Sequence, residues 1–265
     1  MSVFKVVGTV IVFVSALGGG GYFAWDYFID TEIRSLDNSK YEENTFGKRY
    51  GIYLLDPFNR KNKDAWEALF NKWNTDKDKT QSPPQLSNEF QKEKIDKGYS
   101  NKEGEEDKSL NKICEAIFKQ AENQVTNGKK TNTWTYCSLL GEETKLISAT
   151  EKSSYAGKFG GKDEFQNKLV VVKKSETTNP NEAFWSRRNK EFFDEINLET
   201  TSGKHASKDS IFAALYEKKH QQRREINDTV RDTCEKAYDK KITGVDEKIK
   251  FTEADIKRFC FLIPE

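Results

Sequence analysis

The heptapeptides TYCSLLG at 135–141 and RFCFLIP at 258–264 share one pattern: an aromatic residue, cysteine, any residue, leucine, an aliphatic residue and a helix breaker. Upstream of each lie a further Cys-Glu pair, a tryptophan and a short aliphatic run, in the same order and at nearly the same spacing. The landmarks of the two copies are Ile52–Leu55, Trp66, Cys114 and Cys137 in the first, and Leu169–Val172, Trp185, Cys234 and Cys260 in the second. Such a register over so long a stretch predicts an internal duplication, whereas two copies are too few for a solenoid.

The duplication divides the chain into predicted units. We expect a first module at 41–145, a linker at 146–161 that contains three glycines, and a second module at 162–265. The aliphatic runs are typical of short strands. The regions around the tryptophans and cysteines have the periodicity of amphipathic helices. The predicted fold class is therefore α+β, helix-dominated, with two related modules after an N-terminal transmembrane helix.

Apolar residues at helical spacing predict where the helices lie. Trp66, Leu69, Phe70 and Trp73 share one helical face. Further stripes run from Leu110 to Val125 and from Ile226 to Tyr238 around the first cysteine of each copy. Asn179-Pro180 predicts a cap and a first-turn proline for the helix of Trp185, and Thr252 to Asp255 resembles a capping box before the last helix.

The N-terminal segment from Val6 to Trp25 carries no charge. A helix of this length spans about 30 Å, the thickness of a bilayer core, and aromatic residues follow where the headgroups would lie. Lys5 precedes the segment and Asp26 follows it, which predicts a single-pass anchor at residues 6–25 in the lipid bilayer, with the N-terminus inside and the bulk of the chain extracellular. The alternative is a signal peptide cleaved after Ala16, which also exports the remainder.

The four cysteines of an exported chain favour two disulfides, Cys114–Cys137 and Cys234–Cys260. Reduced, buried cysteines are the alternative interpretation. Zinc is disfavoured because the sequence contains no C-x-x-C pair.

Composition and motifs argue against several function classes. Basic and acidic residues number 44 and 43, so the sequence lacks the basic excess of a nucleic-acid binder. No motif of a metalloprotease, a serine hydrolase or a phosphate-binding loop is present. We therefore predict no catalytic, cofactor or metal site, although His205 and His220 are the residues that a hidden hydrolase site would use. The basic run EKKHQQRR at 217–224 is interpreted as a charged helical face, with contact to a polyanion as the alternative.

These features together resemble an uncharacterised paralogous protein family of haemotropic mycoplasmas. The resemblance rests on the basic start MSVFK, the glycine-rich apolar leader, the helix of Trp66, the Cys-Glu pairs and the segment TYCSLLGEETKLIS. Many relatives have tryptophan before the last cysteine of the motif, where this chain has Tyr136 and Phe259. The family has no established enzymatic role, so the resemblance implies surface display and carries no catalytic residues over.

The sequence thus predicts a membrane-anchored extracellular surface protein that displays itself to, or contacts, a host cell or host protein without catalysis. An exported hydrolase-like enzyme, and a module that binds a polyanion or a solute, are the alternatives.

Overall fold

The computed structural model describes residues 33–80, 84–102, 108–174, 179–196, 198–220, 225–242 and 252–265. This part of the chain is dominated by short helices, as predicted. The α-helices are α1 (Phe46–Tyr50), α2 (Lys63–Asp76), α3 (Leu110–Phe118), α4 (Asn127–Cys137), α5 (Ala149–Ser153), α6 (Glu182–Phe192), α7 (Ile211–Glu217), α8 (Val230–Tyr238) and α9 (Glu253–Phe259). Residues 33–141 are called the first half below, and residues 142–265 the second half.

The predicted apolar stripe of α2 forms part of the core. Trp66, Leu69 and Trp73 lie three and four residues apart and are fully buried. The corresponding helix of the second half, α6, buries Phe184, Trp185 and Phe192. The apolar face therefore fixes the orientation of both helices against the rest of the fold.

Several predicted helix boundaries are wrong. Helix α3 ends at Phe118, and Ala121 instead forms an isolated bridge with Thr45. In the second half Ile226 is exposed and lies before α8, whose cap is Thr229. Helix α6 begins at Glu182, so Asn181 and not the predicted cap Asn179 precedes it, and Pro180 lies before the helix and not in its first turn. The Asn181 side chain makes no capping hydrogen bond because it is bonded to the backbone of Lys145 and Val171. Thr252 does cap α9, by accepting a hydrogen bond from the Asp255 N–H.

The described residues contain isolated β-bridges and no sheet, so the β component of the predicted α+β class is not seen. Ile52 and Tyr53 belong to a 3-10 turn, and only Leu54 and Leu55 of that run form bridges. The bridge partner of Leu54 is Ser138, which directly follows α4. Because α4 ends immediately before Ser138, the residues on that side of Ser138 are helical and the bridge does not extend into a ladder.

The backbone hydrogen bonds of the first half recur at corresponding places in the second. The Leu55 N–H donates to the carbonyl of Cys137 at 3.0 Å, and the Val170 N–H donates to that of Cys260 at 3.2 Å. Four further pairs of bonds match, each written here from the N–H donor to the carbonyl acceptor, first half before second half. They are Leu36→Leu54 and Ile147→Leu169; Leu139→Tyr53 and Leu262→Lys168; Phe46→Gln120 and Phe159→Lys240; and Glu122→Asn44 and Ile242→Gly157.

Two asparagines make the same set of side-chain hydrogen bonds. The Asn62 amide accepts from the N–H of Arg34 and donates to the carbonyls of Arg34 and Asp56. The Asn181 amide likewise accepts from the N–H of Lys145 and donates to the carbonyls of Lys145 and Val171. The indole N–H of Trp66 donates to Asp56 at 3.2 Å and that of Trp185 to Val171 at 2.9 Å.

The segment predicted as a linker, 146–161, is packed into the second half. It contains α5, and it buries Tyr155 and Phe159. Phe159 is bonded to the Lys240 backbone, and Gly160 lies so close to Tyr155 and Tyr238 that a β-carbon there would be 2.8 Å from the Tyr155 ring. The described contacts therefore make residues 146–161 part of the core of the second half, while the predicted module boundaries stay a prediction.

No helix in the described part of the chain is long and apolar enough to cross a membrane. The predicted membrane segment, Val6 to Trp25, lies outside the described residues.

Candidate functional site

The four predicted site cysteines lie in two pairs, one in the core of each half. The Cα atoms of Cys114 and Cys137 are 5.7 Å apart, and those of Cys234 and Cys260 are 5.8 Å apart. Both distances fall in the range of disulfides. All four cysteines are fully buried, and each pair is the one that the spacing predicted.

Each disulfide joins two helices next to an isolated β-bridge, Leu54 with Ser138 in the first half and Leu169 with Phe261 in the second. Cys114 lies in α3 and Cys137 ends α4, while Cys234 lies in α8 and Cys260 follows α9. The aromatic residues before the second cysteines pack into the same cores: the ring centroid of Tyr136 is 5.7 Å from that of Phe90, and Phe259 is 5.0 Å from Phe192. The motif shared by residues 135–141 and 258–264 is thus the place where each half closes.

His205 lies at the surface. Its side chain is 42% exposed, and its Nε2 is 3.1 Å from a carboxylate oxygen of Glu199. The side chain of His220 lies outside what the structure describes. Among the described residues no cluster of His, Cys, Asp and Glu has the geometry to hold a metal ion.

The two halves meet at the buried hydroxyl of Tyr53. This hydroxyl donates to the carbonyl of Leu262 at 2.5 Å and accepts a hydrogen bond from the guanidinium of Arg188. Burial raises the pKa of Tyr53 to about 12, although the charge of Arg188 opposes the shift. The phenol therefore stays neutral and keeps its proton for the Leu262 carbonyl.

Arg188 is the central cation of this junction, and it is fully buried. Its guanidinium also donates to the carbonyl of Arg258 at 2.9 Å and to that of Phe261 at 3.3 Å. Glu191, equally buried, lies 3.6 Å from Arg188 Nε and accepts a hydrogen bond from the Thr201 hydroxyl at 3.1 Å. The buried charge is thus compensated by a carboxylate and by several carbonyls, as such a charge must be.

Arg187 adds a second link between the halves. Its guanidinium lies 2.8 Å from the second carboxylate oxygen of Glu191 and donates to the carbonyl of Ile52 at 3.3 Å. The rings of Tyr53 and Phe184 pack beside these contacts, with centroids 5.9 Å apart. The junction therefore combines apolar packing with a network of buried polar groups.

No local sequence pattern predicts this junction. Its members lie up to 209 residues apart, and Arg188 stands in the charged run SRRNKE, which is typical of a solvated helix face. One signal was present: Arg188 follows Trp185 by three residues, as Leu69 follows Trp66. A duplication places Arg188 on the buried stripe.

A cleft of about 620 Å³ lies along the junction. Trp134 lines it and packs against Tyr50, with ring centroids 5.3 Å apart. The indole N–H of Trp134 is buried and has no acceptor among the described residues. At the rim, Lys130 of the first half and Glu143 of the second form an ion pair at 2.7 Å.

Comparisons with protein-family models, curated proteins and solved structures found no match to this chain.

Proposed function

We propose that this chain is a membrane-anchored extracellular surface protein that acts by display or host contact and not by catalysis. The observation that supports this most is the pair of buried disulfides, one in each half. Structural disulfides are typical of oxidising compartments outside the cytosol. The apolar leader from Val6 to Trp25 supplies the route of export and the anchor.

We also propose that the two halves are copies of one ancestral module with a small β component. The matched hydrogen bonds of Asn62 and Asn181 support this proposal. The two disulfides also support it, because each joins the corresponding pair of helices in its own half. A surface protein gains from such a duplication because each copy can change its exposed residues while the core contacts remain. Membership of the haemotropic mycoplasma family is part of the same proposal and rests on the sequence features alone.

The test of display is protease shaving of intact cells of the source organism. We expect peptides from beyond residue 30 to be released, while the intact chain partitions with membranes and resists carbonate extraction. Recovery of a soluble product that begins near residue 17 would replace the anchor with a cleaved signal peptide. Recovery of the full chain from the cytosol, with four alkylatable thiols, would overturn the proposal.

A second candidate function, binding of a solute, is favoured by the cleft along the junction. Its volume of about 620 Å³ is in the range of small-molecule sites, which are frequent between domains. Trp134, Leu146 and Val171 give the cleft an apolar wall against which the body of a solute can pack. Thermal unfolding in the presence of each of a panel of small polar metabolites distinguishes solute binding from display alone. A saturable rise of Tm that the variant Trp134→Phe abolishes would favour solute binding.

A further inference from the structure

A second cleft adjoins the junction cleft at Leu146. The first has a volume of about 620 Å³ and the second of about 560 Å³, and Tyr50, Leu146 and Leu262 line both of them. Because they share these residues, the two clefts meet and form one elongated depression between the halves. We call the two clefts together the junction groove. Each cleft alone is in the range of a small-molecule site, so the junction groove has room for a longer ligand.

Leu146 lies in a short extended segment that is bridged to Val170 in the antiparallel sense. The carbonyl of Lys145 accepts a hydrogen bond at 3.0 Å, and the N–H of Ile147 donates one at 2.9 Å, both with the residues on either side of Val170. In this pattern the two bridged residues form the pair that is not hydrogen-bonded to each other. The N–H and the carbonyl of Leu146 therefore point away from Val170.

These two main-chain groups of Leu146 are unpaired. Within the described part of the chain, no acceptor is bonded to the Leu146 N–H and no donor to its carbonyl. On the inner side of the bridge, by contrast, the Val170 N–H donates to the carbonyl of Cys260 at 3.2 Å. One backbone donor and one backbone acceptor thus lie at an open edge beside the junction groove, as they do along the edge strand of a sheet.

The charges along the junction groove balance one another. Four ion pairs with distances of 2.6–2.9 Å line it, namely Lys130–Glu143, Lys48–Glu43, Arg49–Glu122 and Lys168–Glu265. The two other charged residues of the lining, Lys145 and Glu151, have opposite signs. A charged ligand would have to compete with these existing partners, so the groove does not select for an anion or a cation.

The aromatic side chains of the junction groove are closed to a ligand. Tyr50 is 5% exposed and Trp134 is 1% exposed. A sugar that stacks on an aromatic side chain needs an open ring face, and neither residue provides one. The apolar surface that remains open belongs to aliphatic side chains, among them the half-buried Leu146 and Ile263.

From these observations we propose that the junction groove binds an extended peptide segment of a partner protein, which pairs with Leu146 as an added strand. The Leu146 N–H donates to a carbonyl of the segment, and the Leu146 carbonyl accepts from one of its N–H groups. In this mode of recognition main-chain hydrogen bonds supply affinity and side-chain contacts supply specificity. Aliphatic side chains of the segment pack on Leu146 and Ile263. The proposal rests on the candidate function of ligand binding at the junction and names the class of ligand.

The first half has a matching edge at Ser35. Ser35 is bridged to Leu55 as Leu146 is to Val170, but Ser35 lines neither cleft. We therefore expect one peptide per chain, and Ser35 is the matched control position.

The first measurement is hydrogen exchange of the full chain in detergent, resolved to single amides. We expect the N–H of Leu146 to exchange at least about tenfold faster than that of Ile147, which is bonded to the Leu169 carbonyl. Equal protection of the two amides would show that the edge is already covered, and it would overturn the proposal.

The binding probe is a positional-scanning library of heptapeptides that are acetylated and amidated at their ends, so that the termini carry no charge. Fluorescence polarisation measures their binding to the full chain. We expect a sequence with alternating aliphatic residues to bind saturably. Its affinity should change less than about twofold between about 0.05 M and 0.3 M salt, because the lining has balanced charges. Binding should also slow the exchange of the Leu146 N–H.

N-methylation of the bound peptide tests the strand pairing on the unaltered protein. Methylation of the one amide that donates to Leu146 should weaken binding at least about tenfold, since it removes a main-chain hydrogen bond and adds a methyl group at the contact. Methylation of either adjacent amide should have little effect, because successive N–H groups of a strand point to opposite sides.

The variant Leu146→Ser gives this edge the residue of the first half. It should weaken binding at least about fivefold, because the peptide loses an aliphatic contact. The control Ser35→Ala alters the matching edge and should leave the affinity unchanged. Thermal unfolding of both variants shows whether the fold is intact, and the methylated peptides test the pairing even if Leu146→Ser lowers Tm.

Two further outcomes would overturn the proposal. One is a protein that binds no peptide of the library. If small polar metabolites still raise its Tm, the candidate function of solute binding stands and only the peptide ligand is wrong. The other outcome is a peptide that binds with unchanged affinity whichever amide is methylated, which would indicate apolar adsorption without strand pairing.

Discussion

Arg188 shows how one residue distinguishes the two halves. It stands three residues after Trp185, at the position that Leu69 holds after Trp66, and both side chains are fully buried. A leucine there adds apolar contact only. The guanidinium instead supplies several donors in a fixed plane, which are taken up by Tyr53 and by the carbonyls of Arg258 and Phe261. In the second half this buried position supplies the contact that joins the halves, whereas in the first half it supplies apolar packing.

Replacing this residue tests the junction directly. Arg188→Leu should lower the free energy of unfolding by about 3 kcal/mol, because it leaves Glu191 and several carbonyls buried with fewer partners. Tyr53→Phe should cost about 1 kcal/mol. The double variant should lose less than the sum, with a coupling above about 0.5 kcal/mol in urea unfolding. Lys190→Leu, on the same helix, is the control, and strict additivity of the first two changes would contradict the contact.

Asp194 is a residue whose contribution depends on pH. Partial burial raises the pKa of its carboxyl, but hydrogen bonds from Lys219, Ser202 and Tyr216 outweigh this and lower the pKa to about 2. A carboxyl with a lowered pKa stabilises the fold above its ordinary pKa of about 3.9, and this stability is lost as the pH falls through the folded value.

We therefore expect Asp194→Asn to be less stable than the wild type at pH 7 by about 1 kcal/mol, a modest figure because the site is partly exposed to solvent. The difference should shrink between pH 4 and about 2 as the wild-type carboxyl takes up its proton. Urea unfolding at a series of pH values measures it. A constant difference down to pH 2 would show that packing, not charge, is responsible.

At the scale of elements, the disulfides stabilise the helices that they join. The loops that they close span 23 and 26 residues. Closing loops of this length in the unfolded chain corresponds to about 3 kcal/mol of stabilisation each. Because both ends of each bond lie within one half, the two contributions should be separable.

The variant Cys114→Ser/Cys137→Ser should be less stable by about 3 kcal/mol, and Cys234→Ser/Cys260→Ser by a similar amount. Hydrogen exchange read by mass spectrometry should show the greater loss of protection in α3 and α4 for the first variant and in α8 and α9 for the second. Each variant serves as the control of the other. Equal loss of protection in both halves would contradict separate stabilisation.

The helices and cysteine pairs were predictable because they depend on spacing within one element or one loop. The stripe of Trp66, Leu69 and Trp73 needs only the period of a helix. The aliphatic run at 52–55 could not be assigned in the same way, since a strand depends on the partner that the fold provides. That partner, Ser138, continues directly from α4, so the run forms bridges and no sheet. The junction was missed because Tyr53 and Arg188 lie 135 residues apart and no local pattern marks their contact.

At the scale of the whole molecule, the junction should make the halves unfold together. Tyr53, Arg187 and Arg188 connect them through buried hydrogen bonds, and the Tyr53 ring packs on Phe184. Opening one half exposes these groups in the other, which is unfavourable because buried polar groups lose their partners.

Calorimetry of residues 33–265 should therefore show one transition with equal van't Hoff and calorimetric enthalpies. The variant Tyr53→Phe/Arg188→Leu weakens the connection and should give a van't Hoff enthalpy below the calorimetric one. Two resolved transitions in the wild type would show that the halves are independent.

On the proposal that the protein is displayed at a surface, the closure of each disulfide within its own half has a consequence for how it would be shed. Covalent continuity between the halves runs only through the short segment Gly141–Thr144. A single proteolytic cut there would leave the second half attached by the junction alone, since no disulfide crosses it. Shedding of the fragment after the cut would then be governed by the dissociation rate of the whole junction around Tyr53, Arg187 and Arg188, and a reducing agent would not accelerate it unless that half unfolds.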